Sequence, residues 1–414
     1  MEAHRVGLPL AVGIAVVAAG AATFALRPRS ELVDPASVAA TDYFSTSQLD
    51  RIHDYRGPQR WLGLGDLVVS GGTLALIALR PPRRLRRALE RGKARPILAA
   101  AAAGGALSVV LVVVGLPLSA IAEQRARDFG LSTQDWGGWF EDLAKSTAIG
   151  IAFSGVGGAL LMATIRRFPR AWWAVGAVAA VVLSAVFVSY GPVVIDPLFN
   201  KFTPLENSPL RSEVLALAHK DGVDVGQVYR VDASRRTTGA NAYVNGLGHS
   251  KRVVLYDNLL KDFAPDQVQS VVAHELGHVK HRDVPRGLLW LAIVAPAGML
   301  VIQRLTERLA PPDAGAGSRA AGPAVLPAAA LSIALVSFLL NIPGNALSRQ
   351  VERSADGHAL DLDGNTAAFI AVERKLSLQN LGDPDPPGWL QLVFGTHPST
   401  LDRIGYALTW ARNH

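Results

Sequence analysis

His274-Glu275-Leu276-Gly277-His278 stands in the middle of a helix-compatible stretch, and the seven residues before it, Gln267 to Ala273, are mostly apolar. On a helix, positions four apart share a face, so both imidazoles can address one metal ion. Glu275 follows the first histidine and can address a water at that metal. Two histidines and one base in this spacing are the pattern of zinc peptidases, and they predict Zn2+ as the cofactor. A chance match on a surface helix is the competing reading, and the uncharged flank Val271-Val272-Ala273 speaks against it. The chain has no cysteine, so a zinc site here has to be built from histidines and carboxylates.

Outward from that stretch the chain is too apolar for an ordinary soluble enzyme. Half of its 414 residues are hydrophobic, only 18% are charged, and the mean hydropathy is +0.24. Such a composition predicts membrane spans. Apolar runs predict five of them at Gly7–Leu26, Trp61–Leu79, Pro96–Ala122, Ser146–Ile165 and Ala171–Tyr190. A cleaved signal peptide is the alternative for the first; its length and the many spans behind it favour a retained helix. Two further spans are expected at about 285–303 and 324–343. Asp66 falls in the second span, either facing an internal cavity or lying near the membrane edge. The net charge of +7 suggests nucleic acid at first sight. The arginines are instead concentrated in Arg80 to Arg95, a short block between two apolar runs, which the positive-inside rule explains without any nucleic-acid partner.

The expected architecture is mainly α, a seven-transmembrane helical bundle carrying an α+β zinc metalloprotease domain. Residues 1–190 form the five-span membrane part and 191–414 the peptidase part with the last two spans. Within the latter, Ser208-Pro209 starts a helix, and Val228–Val231 and Arg252–Tyr256 read as strands. Pro265 at a first-turn position opens the helix of the histidines.

Two histidines leave the metal short of a protein ligand. A third histidine at 284 after a glycine at 281 is ruled out, since the chain has His281 and Val284. The best remaining donor is Glu352, in Ser348-Arg349-Gln350-Val351-Glu352-Arg353-Ser354-Ala355-Asp356, directly after the seventh span. Asp356 lies four residues on, on the same helical face, where it can accept the second N–H of a metal-bound histidine. An ordinary solvated face shared with Arg349 and Arg353 is the bland alternative. His281 reads as a solvated neighbour of Lys280 and Arg282. His4, His53, His219, His249, His358 and His414 read as structural or exposed.

With these residues assembled, the chain resembles the type I CAAX prenyl proteases, seven-span zinc endopeptidases that trim prenylated proteins, and their bacterial relatives. The likeness runs from about Tyr43 to the end. It includes Glu123 to Lys145 with Trp139 and Asp142, Asp196-Pro197-Leu198-Phe199-Asn200-Lys201-Phe202, and Asn241-Ala242-Tyr243 with Gly246. It continues through Lys251 to Asp257, His274 to His278, Ser348 to Asp356, and His397-Pro398-Ser399 with Arg403. Asn258 departs from the family's usual threonine, with little consequence expected. The resemblance implies a gluzincin-type fold and a role for Asn241 on an edge strand that binds substrate backbone. It also implies that His397 and Arg403 line the site and stabilise the oxyanion, with Glu275 as the general base. The implied partners are a polypeptide substrate, membrane-associated or unfolded, and the lipid bilayer of a cell membrane. A seven-span transporter or a non-cleaving quality-control factor with a vestigial protease domain are the competing functions; neither needs Glu275. The basic loops place the catalytic part outside the cytoplasm, whereas the eukaryotic relatives imply the cytosolic side, so the active-site side stays open at this point.

Overall fold

The computed structural model describes residues 7–29, 33–246 and 251–414. His4 and His249 lie outside these residues. Counting helices of seven residues or more, the chain runs α1 Leu8–Leu26, α2 Thr46–Leu79, α3 Arg83–Arg91, α4 Pro96–Asp128, α5 Trp136–Arg167 and α6 Trp172–Val194. After β1 Phe202–Pro204 come α7 Pro209–Lys220, β2 Gln227–Val231, β3 Ala242–Asn245 and β4 Arg252–Tyr256. Then follow α8 Pro265–Lys280, α9 Asp283–Leu309, α10 Leu326–Asp363, α11 Thr366–Gln379, α12 Gly388–Phe394 and α13 Thr400–Asn413. Among the described residues, seven helices are long and apolar enough to cross a membrane: α1, α2, α4, α5, α6, α9 and α10.

The spanning helices bury their small residues and present their large ones outward, as helices in lipid do. In α1 the buried stripe is Ala11, Ala15, Ala19 and Ala22, while Val16, Val17 and Phe24 are 60–69% exposed. Between α4 and α5 the backbones touch. A Cβ on Gly104 would lie 2.2 Å from the Ser154 carbonyl oxygen, and one on Gly158 would lie 2.6 Å from that of Ala100. Asp66 is half-buried in the α2–α4 contact, its Oδ1 where a Cβ on Gly115 would stand, so it packs against helix backbone rather than lying free at a membrane edge.

Several helices outrun the apolar stretches that signal them. The second span is expected from Trp61, yet α2 starts at Thr46, where Ser45 and Gln48 form a reciprocal cap. The seventh is expected to end near 343, yet α10, 38 residues long in all, runs on to Asp363. An apolar run marks the hydrocarbon layer, whereas a helix stops only where its backbone bonds are capped, here at the left-handed Gly364. A single rod thus connects the membrane to Glu352 and Asp356.

The four strands form one sheet in the order β1-β2-β4-β3, parallel between β2 and β4 and antiparallel elsewhere. Its buried residues Val228, Val253 and Leu255 join Val268, Val272 and Leu276 of α8, Leu360 of α10 and Phe369 of α11 in one core. Membrane helices and sheet are clasped by charge. Arg236 donates twice to Asp142 of α5 at 2.6 and 2.9 Å, and Lys145 donates to the Leu198 carbonyl at 3.1 Å. Arg56 of α2 donates to the carbonyls of Asn380 and Leu381, and Arg60 pairs with Asp383. The stretch from Glu123 to Lys145 is therefore joinery between the two halves. Asn258 matters more than expected: it is buried, and its amide donates to the carbonyls of Thr237 at 2.7 Å and Gly239 at 2.9 Å, two bonds a threonine hydroxyl cannot both make.

Candidate metal centre

The centre is built where α8 crosses α10. Gly277, inside the H-E-x-x-H, makes the crossing close: a Cβ there would lie 3.2 Å from Ala355 Cα and 3.2 Å from His358 Cβ. The short approach brings Glu352 against the two histidines. His274 Nε2 and His278 Nε2 lie 3.2 Å apart, with their rings nearly perpendicular. Glu352 Oε2 is 3.3 Å from His274 Nε2, and Oε1 is 3.6 Å from His278 Nε2. One donor atom from each of the three falls within 4.8 Å of the others. Glu352 Oε2 is buried with no hydrogen-bond partner. Two facing imidazole nitrogens beside an orphaned carboxylate oxygen are satisfied together by a cation, and donor type and burial fit a metal held by nitrogen and oxygen.

Each histidine is fixed from behind. His274 Nδ1 lies 2.8 Å from Asp356 Oδ1, and His278 Nδ1 lies 2.9 Å from Asp283 Oδ2. Both rings thus direct Nε2 at the centre. Burial pulls the His274 imidazole down, but the neighbouring carboxylates of Asp356 and Glu352 outweigh that and lift it to about 10. Burial also raises the Glu275 carboxyl, against the pull of His274 and His278. That shift moves it towards the range where a base works at neutral pH.

Asp283 and Glu373 join the cluster although the spacing of the sequence alone does not single them out. Asp283 opens α9, five residues past His278, and the chain turns back to it through Arg282 in the left-handed region at φ 55°. A second carboxylate for the second histidine is what a paired site requires, and an acidic first-turn residue was the available signal. Glu373, buried on α11, accepts from Arg403 Nη1 at 2.8 Å.

Arg403 stands elsewhere than expected. Its Nε donates to Asp356 Oδ2 at 2.9 Å, Nη2 to Asp356 Oδ1, and Nη1 to Glu373. These contacts lie on the Nδ1 side of His274, away from the three converging donors. Asp356 and Glu373 hold its guanidinium well above the usual range despite burial. Its Nη2 also lies 3.3 Å from His274 Nδ1, so Arg403 touches the first histidine as well as the carboxylate behind it. His397 is better placed, with Nε2 3.4 Å from Glu352 Oε1 and a side chain 60% exposed. The helix just before it, α12, is tied to α10 by Asn345, which donates to the Val393 carbonyl at 2.7 Å, and by Arg349, which donates to the Gln391 carbonyl at 2.9 Å. Asn241 is exposed just before β3, the outer strand of the sheet, and its amide oxygen accepts from Ala242 N–H at 2.9 Å.

His281 is not the solvated residue expected. One turn past His278, it faces α10, with Nδ1 3.2 Å from Ser354 Oγ and its ring edge-on to His358. His358 in turn lies 3.1 Å from Asp221 Oδ1. His53, near Asp383, His219 and His414 are exposed.

Comparison with known proteins agrees with this architecture. The sequence profile of peptidase family M48 matches residues 204–411. The profile described as CAAX prenyl protease N-terminal, five membrane helices, matches 33–201. The metalloprotease YhfN of Bacillus subtilis is 33% identical over 304 residues, 73% of this chain and 71% of that one. CAAX prenyl protease 1 of Saccharomyces cerevisiae is 34% identical over 176 residues, 42% of this chain and 39% of that protein. The crystal structure of S. mikatae Ste24p superposes with a TM-score of 0.73 over 97% of this chain and 98% of its own, at 19% identity, and so shares the fold. With the M48 profile over half the chain and the metal-type donor set at the α8–α10 crossing, this chain belongs to peptidase family M48 and is a multi-pass membrane metallopeptidase.

Proposed function

We propose that this chain is a zinc-dependent endopeptidase acting on membrane-associated or unfolded polypeptides, with His274, His278 and Glu352 as the metal ligands. The observation that carries this reading is the convergence of the three donors around the unpartnered Glu352 Oε2. When bound, zinc supplies Lewis acidity, polarising a carbonyl and lowering the pKa of a water to about 7. Glu275 accepts a proton from the attacking water and returns it to the leaving amine as the C–N bond breaks. The water oxygen ends in the new carboxylate. His397 donates to the developing oxyanion from Nε2; a hydrogen bond from Thr396 Oγ1, 2.9 Å from Nδ1, would keep the proton on Nε2. Asp356 and Asp283 hold the ligand rings, and Arg403 holds Asp356.

Substrate backbone aligns along the outer edge of β3 with Asn241 at its start, a mode supported by the position of β3 at the sheet margin. The division into a membrane part, 1–190, and a peptidase part, 191–414, belongs to the same proposal.

The decisive experiment is Glu275→Gln in detergent-purified full-length protein. The variant should keep one zinc per chain and lose peptide hydrolysis by about 10²- to 10⁴-fold. Unchanged hydrolysis in a preparation free of other proteases would remove Glu275 from the mechanism.

A further inference from the structure

The spanning helices have two ends, and the side-chain contacts identify them. At one end lie the sheet and the metal centre: Arg60 of α2 pairs with Asp383, Asp142 near the start of α5 with Arg236, and Arg252 with the Pro192 carbonyl near the end of α6. At the other end the remaining connections meet each other. Arg86 of α3 reaches Asp313 at 3.4 Å, Lys93 the Asp313 carbonyl at 3.1 Å, and Arg166 the Ala321 carbonyl at 2.8 Å.

Charge divides sharply between the two. The far-end segments 80–95, 166–170 and 304–325 hold 14 of the chain's 41 Lys and Arg and only three of its 34 Asp and Glu, which leaves the rest of the chain net acidic. The short connection 129–135 at the catalytic end carries one Asp and no Lys or Arg. Local ion pairs neutralise little of the far-end excess. Arg86 is matched by Glu90 and Asp313, but Arg83, Arg84, Arg87 and Arg91 are exposed on α3 while Leu89 is buried beneath them. A short amphipathic helix with its apolar residue inward and a row of guanidinium groups outward suits the anionic headgroups of an inner leaflet. Short basic loops stay on the cytoplasmic side during insertion.

We infer that the far end faces the cytoplasm, with α3 against anionic lipid, and that the metal centre opens on the extracytoplasmic side. Its substrates are then polypeptide segments exposed outside the cytoplasm. The substrate half of this inference rests on the peptidase reading; the orientation half does not.

The chain's lack of cysteine makes the test direct. Ala94→Cys at the far end and Glu206→Cys at the catalytic end replace exposed residues. Full-length variants are expressed in a bacterial host, and spheroplasts are treated with a membrane-impermeant maleimide. Glu206→Cys should be labelled in intact spheroplasts, and Ala94→Cys only after permeabilisation. The reverse pattern, or labelling of both before permeabilisation, would overturn the orientation. The labelling is repeated in the Glu275→Gln background, where the orientation result must be the same. For the substrate half, a membrane-anchored reporter carries an unfolded casein segment either exported or held in the cytoplasm. Cleavage of the exported form alone is expected, and cleavage of the cytoplasmic form alone contradicts it. Cleavage of neither, with the labelling pattern intact, counts against the peptidase reading and leaves the orientation standing.

Discussion

At the residue scale, the centre is three donors and the groups that aim them. That Glu352 stands beside the histidines is legible because two histidines on one helix face leave a site incomplete, and a carboxylate after the last span is the remaining supply. Glu373 is not, because its meaning lies in a contact with Arg403 on another helix, and Asp283 carries only the weak mark of an acidic first-turn residue. Glu352→Ala should lose zinc, measured by elemental analysis of the purified protein, because it removes one of three protein bonds. One zinc per chain in that variant would take Glu352 out of the ligand set. Asp283→Ala and Asp356→Ala should each weaken zinc by about 10- to 100-fold without abolishing it, read by competition with a chelator. Equal affinity to the parent would make either carboxylate a bystander. Protons compete for the same atoms. Because His274 is lifted from 6.5 to about 10 in the metal-free protein, the folded chain holds a proton there that zinc has to displace. Apparent zinc affinity should therefore rise roughly tenfold per pH unit between about 6.5 and 10 from this group, and level off above. The same raised value stabilises the metal-free fold fully below about 6.5 and is lost as pH climbs through 10, so the metal-free Tm should fall over that window. A flat affinity profile from pH 7 to 9 would show that His274 holds no such proton.

At the element scale, function depends on how closely two helices approach. The α8–α10 crossing is set by Gly277, whose missing side chain admits Ala355 and His358. The sequence shows Gly277 only as one of two unspecified positions between the histidines; its role appears once α10 is placed. Gly277→Val would put branched carbon against the Ala355 backbone, three residues from Glu352, and α10 has no flexible side chain there to yield. The expected cost is about 1–3 kcal/mol by denaturant unfolding, with zinc content reduced as Glu352 withdraws. A variant with parental stability and full zinc would mean that the crossing is looser than these distances. The signature from Glu123 to Lys145 teaches the complementary lesson. Its residues were legible as a motif, but their purpose was not, since Asp142 finds Arg236 ninety-four positions away and Lys145 finds the Leu198 carbonyl.

At the scale of the whole molecule, the spans were legible because hydrocarbon demands long apolar runs, and β2 and β4 because Val and Tyr cluster at 228–231 and 252–256, whereas β1 carries no such cluster. What lay beyond reading was how far α2 and α10 continue past the membrane, since polar helix residues carry no mark of the partner they will meet. That continuation has a mechanical consequence. The peptidase part contains α9 and α10, and their inner faces are covered by the membrane part: Ala297, Val301 and Ile302 of α9 are buried in one cluster with Ala11 and Ala15 of α1 and Trp172 of α6. Arg236 likewise depends on Asp142 for its carboxylate partner. Residues 191–414 expressed alone would expose that apolar face and leave Arg236 with the Asn200 amide oxygen but without the Asp142 carboxylate. The fragment should lack a cooperative thermal transition and aggregate when detergent is diluted, and co-expression of 1–190 as a separate chain should restore both zinc content and cooperative melting. A fragment that stays monodisperse with one zinc per chain would show that the peptidase part folds without the bundle. The clasps at Asp142, Arg60 and Lys145 would then position the metal centre over the membrane rather than hold it together.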